Sequence, residues 1–420
     1  MTDQDVTTRP TPAERPAWPS ARWLVLAVVG CAILVALGAW AYGLFDAMID
    51  LRVYRMGGSV LLERASLYDA KLAGSGLPFT YPPFAAVAMV PVAAMPWGVA
   101  LVVWTTVSVL CIAAIWRVSL PASAWALLPE QWRKRWVLVL AALTAASLLL
   151  EPVWQTIQFG QINLLLTAMI LFDLVRPQHS RWRGFWVGVA IGVKLTPLPF
   201  LAFLLVTKQW QALRNALLGL LATMAIGFAI VPNQSWHYWT VVIRDANRVG
   251  GLAYTGNQSL MGFLSRIGGD ASYVQPLWFL LSAIFGLLVL WLARRLWMAD
   301  EWVPAISVVA LAVLYASPVS WSHHWVWIIP LGISLVQAVH RQWGGARPAV
   351  IAAVLWFGLF VLRSIWWVPY RDDRELSWTF WQSIPGNAHL ILGMIAFLLL
   401  AYTSRSLPKQ SVASADQSVG

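Results

Sequence analysis

Asp50, Lys194 and the adjacent pair His323-His324 are the residues of this 420-residue chain best suited to chemistry, because each sits in or beside a long apolar stretch. Ionisable groups held at membrane depth, or at its edge, cost free energy unless they are paired or used. The run Ser317-Pro318-Val319-Ser320-Trp321-Ser322-His323-His324-Trp325 puts two imidazoles where one apolar stretch ends and the next begins. They read as a functional pair, or as interfacial anchors bonded to backbone carbonyls. Lys194 is flanked by Gly192 and Pro197 in an apolar run; it reads as an anion-binding cation, or as a side chain snorkelling to the interface. Asp50 lies a few residues past the first apolar stretch, in Ile49-Asp50-Leu51-Arg52-Val53-Tyr54-Arg55. It suits a general base at a cavity mouth; it equally suits a helix N-cap or an ion-pair partner for Arg52 or Arg55. Asp46 and Asp69 are further carboxylates nearby.

The elements that must position these groups are membrane spans. Hydrophobic residues make up 59% of the chain against 11% charged, and apolar runs near the length of a crossing recur throughout. The class is an all-α polytopic membrane protein; the stretches 23–44 and 390–402 do not alternate in polarity as barrel strands would. The two cysteines, Cys31 and Cys111, each lie in an apolar run and make no disulfide framework. The net charge of +11 is spread in short clusters between spans, such as Arg133-Lys134-Arg135 and Arg294-Arg295, which is the positive-inside pattern rather than a nucleic-acid footprint.

That pattern places both termini in the cytoplasm and predicts about twelve spans in one transmembrane domain over residues 23–403. Polar tails precede it (1–22, disordered and cytoplasmic) and follow it (404–420). The stretch 84–117 is too long for one crossing and carries Pro91 and Pro96, so its first part is expected to be re-entrant or interfacial. Residues 185–206 hold Lys194, Pro197 and Pro199 and are expected to form two short helices meeting at a turn. Two large outward loops result, 46–83 and 232–275. The outward face then gathers a carboxylate, a lysine, amides and imidazoles, the pattern of an active site between helices.

Six motifs in order, the Asp50 segment, Phe79-Thr80-Tyr81-Pro82-Pro83-Phe84, Gly160-Gln161-Ile162-Asn163, Lys194-Leu195-Thr196-Pro197, Gly256-Asn257-Gln258-Ser259 and Ser322-His323-His324, resemble those of the actinobacterial polyprenyl-phosphate-dependent glycosyltransferases, family 87 of the GT-C superfamily. The resemblance spans residues 23 to about 400. Within the family, the loops are most similar to those of the mycobacterial phosphatidylinositol-mannoside α-1,2-mannosyltransferases. It implies a GT-C fold whose large first extracytoplasmic loop carries a catalytic aspartate, in the plasma membrane, with the active site outside. It also implies polyprenyl-phosphate mannose as donor, a phosphatidylinositol mannoside as acceptor and no nucleotide sugar.

Such a donor, attacked by an acceptor hydroxyl with inversion, needs one base and stabilisation of the departing phosphate, and no covalent nucleophile. On that footing Asp50 is the base, with His323 and His324 assisting. Lys194, Arg52, Arg55 and Arg266 are candidates for the phosphate. Tyr81, Glu151, Gln161, Asn163, Asn257 and Gln258 are candidates for sugar and acceptor hydroxyls, although amides at loop ends also form turns. Neither a metal nor a cofactor is expected: Asp372-Asp373 is flanked by Arg371 and Arg374 and reads as a charge-balanced surface. The expected partners are the two lipid substrates and the surrounding membrane lipids, and no nucleic acid. Lipomannan branching or arabinofuranosyl transfer are alternative reactions of the same class. A transporter would instead show paired half-repeats and midplane sites, whereas here the polar motifs crowd one face.

Overall fold

Proline and backbone breaks divide the apolar stretches of the chain, whose structure, a computed structural model, describes residues 21–41, 43, 48–126, 129–244 and 250–408. Pro96 splits the long stretch into helices Pro83–Ala94 and Trp97–Ser119, as its length required. The stretch around Lys194 likewise forms two short helices, Phe185–Val193 and Pro199–Val206, with Lys194 in extended conformation just after the first. A third break, between Trp136–Ser147 and Glu151–Phe159, turns the chain by 84°. Each break frees backbone groups at depth, which is tolerated where they are buried in protein or line a cavity. Among the described residues there is no strand, only the isolated bridges Lys71 to Pro78 and Asn257 to Trp321.

The protein is all-α and polytopic, but its crossings are not twelve equal helices. By length and composition, five described helices can span alone: Trp97–Ser119, Trp210–Ile230, Val274–Trp297, Ala346–Trp366 and Ala388–Ser406; the bent pair is a sixth if counted as one. Ala21–Ala41 coincides with the first predicted span. Others, such as Asn163–Leu174 and Trp302–Ala316, are shorter. A twelve-residue helix covers about 18 Å, well short of a hydrocarbon core of about 30 Å, so a helix of that length does not cross on its own. The tails before residue 21 and after 408, and Asp46, lie outside the described residues.

Lipid tails are as apolar as leucine, so helix association inside a membrane relies on close packing of small residues. The helix that delivers Lys194 shows this. Phe185–Val193 lies against Trp210–Ile230 so closely that a Cβ on Gly188 would stand 1.9 Å from the Ala216 carbonyl oxygen. A second anchor is Asp173, whose buried carboxylate accepts from the Val187 N–H at 3.1 Å, at the start of the same helix. The core around the histidine segment is aromatic: Tyr315, Trp325 and Phe285 are buried and in ring contact.

Candidate active site

The segment 48–83, after the first predicted span, does not stay in solvent. Its helix Ile49–Leu62 lines a cavity of about 560 Å³, together with the Lys194 turn and the histidine segment. Asp50 sits in the first turn of that helix, where the helix dipole favours a negative charge. One helical turn on, the Tyr54 hydroxyl donates to Gln161 Oε1 at 2.9 Å and lies 3.2 Å from the Tyr81 hydroxyl. Gln161 also bonds Asp50; a carboxylate only accepts, so the amide N–H donates to it. Burial raises the Asp50 pKa to about 6, against the opposing pull of the Gln161 bond and the Lys194 charge. Asp50 is therefore ionised at neutral pH yet a stronger base than an ordinary aspartate.

Lys194 is 8% exposed. Its ammonium donates to Asn163 Oδ1 at 2.9 Å, meets His324 Nε2 at 3.2 Å and stands 5.6 Å from the centre of the Tyr81 ring. An ammonium has only protons to give, so His324 accepts through Nε2 and carries its proton on Nδ1. Both histidines are held neutral, their pKa values pushed well down by burial and by the Lys194 charge. His323 packs its ring edge-on to Phe159 and faces the same cavity. Among the described residues lining the cavity, Lys194 is the only lysine or arginine and Asp50 the only carboxylate.

The Gly256-Asn257-Gln258-Ser259 motif holds the histidine segment in place with its own polar atoms. Asn257 Oδ1 accepts from the Ser320 N–H at 2.9 Å, and its Nδ2 donates to the Pro318 and Leu252 carbonyls. Gln258 Nε2 donates to the Thr255 and Gly386 carbonyls. Main-chain bonds Ser322 N to Gly256 O at 2.8 Å and Gln258 N to Ser320 O at 2.7 Å complete the clamp. Arg266 backs it from behind, donating to Asn387 Oδ1 and to the Tyr254 and Asn257 carbonyls.

Residues 79–318 match the family model described as Glycosyltransferase family 87. The chain belongs to that family. It is 33% identical to the "Polyprenol-phosphate-mannose-dependent alpha-(1-2)-phosphatidylinositol mannoside mannosyltransferase" of Mycobacterium tuberculosis, over 90% of this chain and 91% of that protein. It is 31% identical to the corresponding pentamannoside mannosyltransferase of Mycolicibacterium smegmatis, over 92% of this chain and 94% of that one. An "Alpha-(1->3)-arabinofuranosyltransferase" of Corynebacterium glutamicum is 29% identical over 47% of this chain and 48% of its own length. Among solved structures, ArnT from Cupriavidus metallidurans bound to undecaprenyl phosphate aligns over 92% of this chain and 78% of ArnT, at 17% identity and a TM-score of 0.37.

In this family 87 glycosyltransferase the cavity brings together six of the residues singled out from sequence: Asp50, Tyr81, Gln161, Lys194, His323 and His324. Asn163 stands just behind them. It joins Lys194 to the His323 carbonyl, which its Nδ2 meets at 3.0 Å, and it lines a small adjoining void. Glu151, Arg52, Arg55, Arg266, Asn257 and Gln258 lie outside the lining. Arg55 donates to the Val92, Ala93 and Met95 carbonyls at the end of helix Pro83–Ala94, and Arg52 lies over the Trp97 ring at 4.4 Å. These cations tie the Asp50 helix to the proline break; as placed, they do not face the cavity. Sequence reasoning overlooked Tyr54, although its position four residues after Asp50 puts both on one helical face. It also did not single out Tyr254, Trp321 and Trp366, which line the cavity.

Proposed function

We propose that this family 87 protein is an inverting mannosyltransferase. It moves mannose from polyprenyl-phosphate mannose to the 2-hydroxyl of a mannose on a phosphatidylinositol mannoside, forming an α-1,2 linkage at the outer face of the plasma membrane. The observation that carries the reading is one cavity whose described lining holds a single carboxylate beside a single lysine, and the names of relatives matching nine-tenths of the chain support the substrate pair. Asp50 takes the proton from the acceptor hydroxyl as its oxygen attacks C1 on the face opposite the phosphate. The C1–O bond to phosphate breaks, its electron pair stays on the phosphate oxygen, and Lys194 stabilises the growing charge. Gln161, itself fixed by Tyr54, holds Asp50; Asn163 and His324 hold Lys194. A β-linked donor gives an α product in one displacement, with no covalent intermediate, cofactor or metal.

A cell-free assay with radiolabelled polyprenyl-phosphate mannose and defined phosphatidylinositol mannosides tests this. Label should pass to the glycolipid and should resist EDTA. Transfer only from decaprenyl-phosphate arabinose would assign the arabinosyl reaction instead, and EDTA loss restored by Mg²⁺ or Mn²⁺ would introduce a metal.

The reading requires residues 23–403 to act as one unit, with both termini cytoplasmic and the cavity open outward. Ser75 and Gln178 are both exposed and suit reporters on the two faces. In protein lacking Cys31 and Cys111, Ser75→Cys should react with an impermeant thiol reagent on intact spheroplasts, while Gln178→Cys should not. The opposite pattern inverts the orientation.

A further inference from the structure

The Asp50 and Lys194 side of the cavity accounts for the donor phosphate and the base, but it leaves a large wall unexplained. That wall is formed by Tyr254, Gly256, Ser317, Trp321, Ser322 and Trp366. It offers rings and hydroxyls and carries no charge. We infer that the aromatic wall of Tyr254, Trp321 and Trp366 is the subsite for the acceptor's mannose ring, and that Glu151 and His389 hold it in shape from behind. The inference rests on the mannosyl-transfer reading.

The chemistry favours an uncharged sugar there. A pyranose has an apolar C–H face that stacks on an aromatic ring and a rim of hydroxyls that needs hydrogen bonds, and amphipathic aromatics supply both kinds of surface. The donor sugar is tethered to the phosphate and so to Lys194. The acceptor sugar has no such tether and needs its own surface. The three rings form one assembly: Tyr254 lies 6.0 Å from Trp321 and 6.2 Å from Trp366 between centroids. All three remain partly exposed. Gly256 permits the close approach, since a Cβ there would stand 2.8 Å from the Tyr254 ring and 3.5 Å from that of Trp366.

The support lies behind the wall. The Trp366 indole N–H donates to Glu151 Oε1 at 3.0 Å, and the Ser322 hydroxyl is another polar neighbour of that carboxyl. Trp366 and Ser322 come from different loops, so one side chain on helix Glu151–Phe159 fixes two pieces of the wall relative to each other. Glu151 is completely buried. Its Oε2 makes no hydrogen bond and faces His389 Nε2 at 3.6 Å, and His389 Nδ1 is likewise without a partner. The Arg363 charge also acts on it. A carboxylate taken fully out of water is costly to bury alone. An adjacent imidazole lets the pair share one proton with no net charge, which makes Glu151 tenable as a fixed anchor. Glu151 is thus a positioning residue acting through Trp366 and Ser322.

The test uses detergent- or nanodisc-held full-length protein, polyprenyl-phosphate mannose and a phosphatidylinositol mannoside. Trp321→Leu and Trp366→Leu should each raise the acceptor KM about tenfold, the loss of one stacking contact, and leave the donor KM within about twofold. Glu151→Ala should behave like Trp366→Leu, whereas Glu151→Gln keeps an oxygen for the indole and should restore the acceptor KM. A rise confined to the donor KM, or no change in either, overturns the subsite; equal loss in the alanine and glutamine variants overturns the anchor. Wild-type protein gives a measurement independent of variant folding. A photoreactive diazirine on the acceptor's terminal mannose should label peptides containing Tyr254, Trp321 or Trp366, and labelling confined to other segments overturns the assignment. Absence of any transfer by the wild type would instead remove the mannosyl reading itself.

Discussion

Asp50→Asn should fold, bind donor and turn over roughly 10² to 10⁴ times more slowly than wild type, because the amide keeps the shape and loses the proton acceptor. Stability should not fall with it. Burial raises the Asp50 pKa, so the folded state disfavours the charge, and removing that charge relieves a cost at neutral pH. The same shift sets the pH dependence. The base must be ionised and Lys194 charged, so kcat/KM should fall as pH drops through about 6 and fall again as pH rises through about 8, to which burial lowers the Lys194 pKa. Well-folded Asp50→Asn protein retaining more than a tenth of wild-type turnover would move the base elsewhere. The cavity-lining histidines would be the first candidates.

Lys194→Met should reduce activity roughly ten- to hundredfold, the worth of a charge-assisted bond of about 1.5 to 3 kcal/mol to the departing phosphate. It also carries a second signature. The lysine charge holds the Asp50 pKa below what burial alone would give, so the acid limb of the variant should move to higher pH. Donor KM and the pH profile should therefore change together. If Lys194 were only a packed side chain, methionine would leave both as in wild type.

How legible the site was depended on where each side chain found its partner. Asp50, Lys194 and His324 could be read from the chain because a polar group in an apolar run is conspicuous wherever it ends up. Asn257, Gln258 and Arg266 carry similar polarity at loop ends, but their partners are carbonyls up to 128 residues away, and no spacing rule distinguishes a clamp on the main chain from a ligand contact. Tyr54 was within reach through helical periodicity. The Glu151 and His389 pair was not, since it joins two helices remote in sequence. For the fold, prolines correctly announced the breaks near Met95 and Lys194. The number of crossings was less legible because hydropathy measures apolar length, and short helices packed inside a membrane protein share that property with true spans.

The pairing of Lys194 with Asp50 in the cavity has a consequence for how the proposed reaction ends. Before transfer the groups that take part are one ammonium, one carboxylate and a singly charged phosphodiester, for a total of minus one. Afterwards they are one ammonium, a protonated Asp50 and a doubly charged phosphate monoester, again minus one. The chemistry changes no net charge; it moves one negative charge from the Asp50 side to the phosphate inside a poorly hydrated space, where such displacement is felt strongly. The spent lipid therefore leaves Lys194 more tightly held than the incoming donor was, and the proton needed to loosen it is already nearby on Asp50. In the proposed reaction, release of the lipid and resetting of the base are then coupled through one proton.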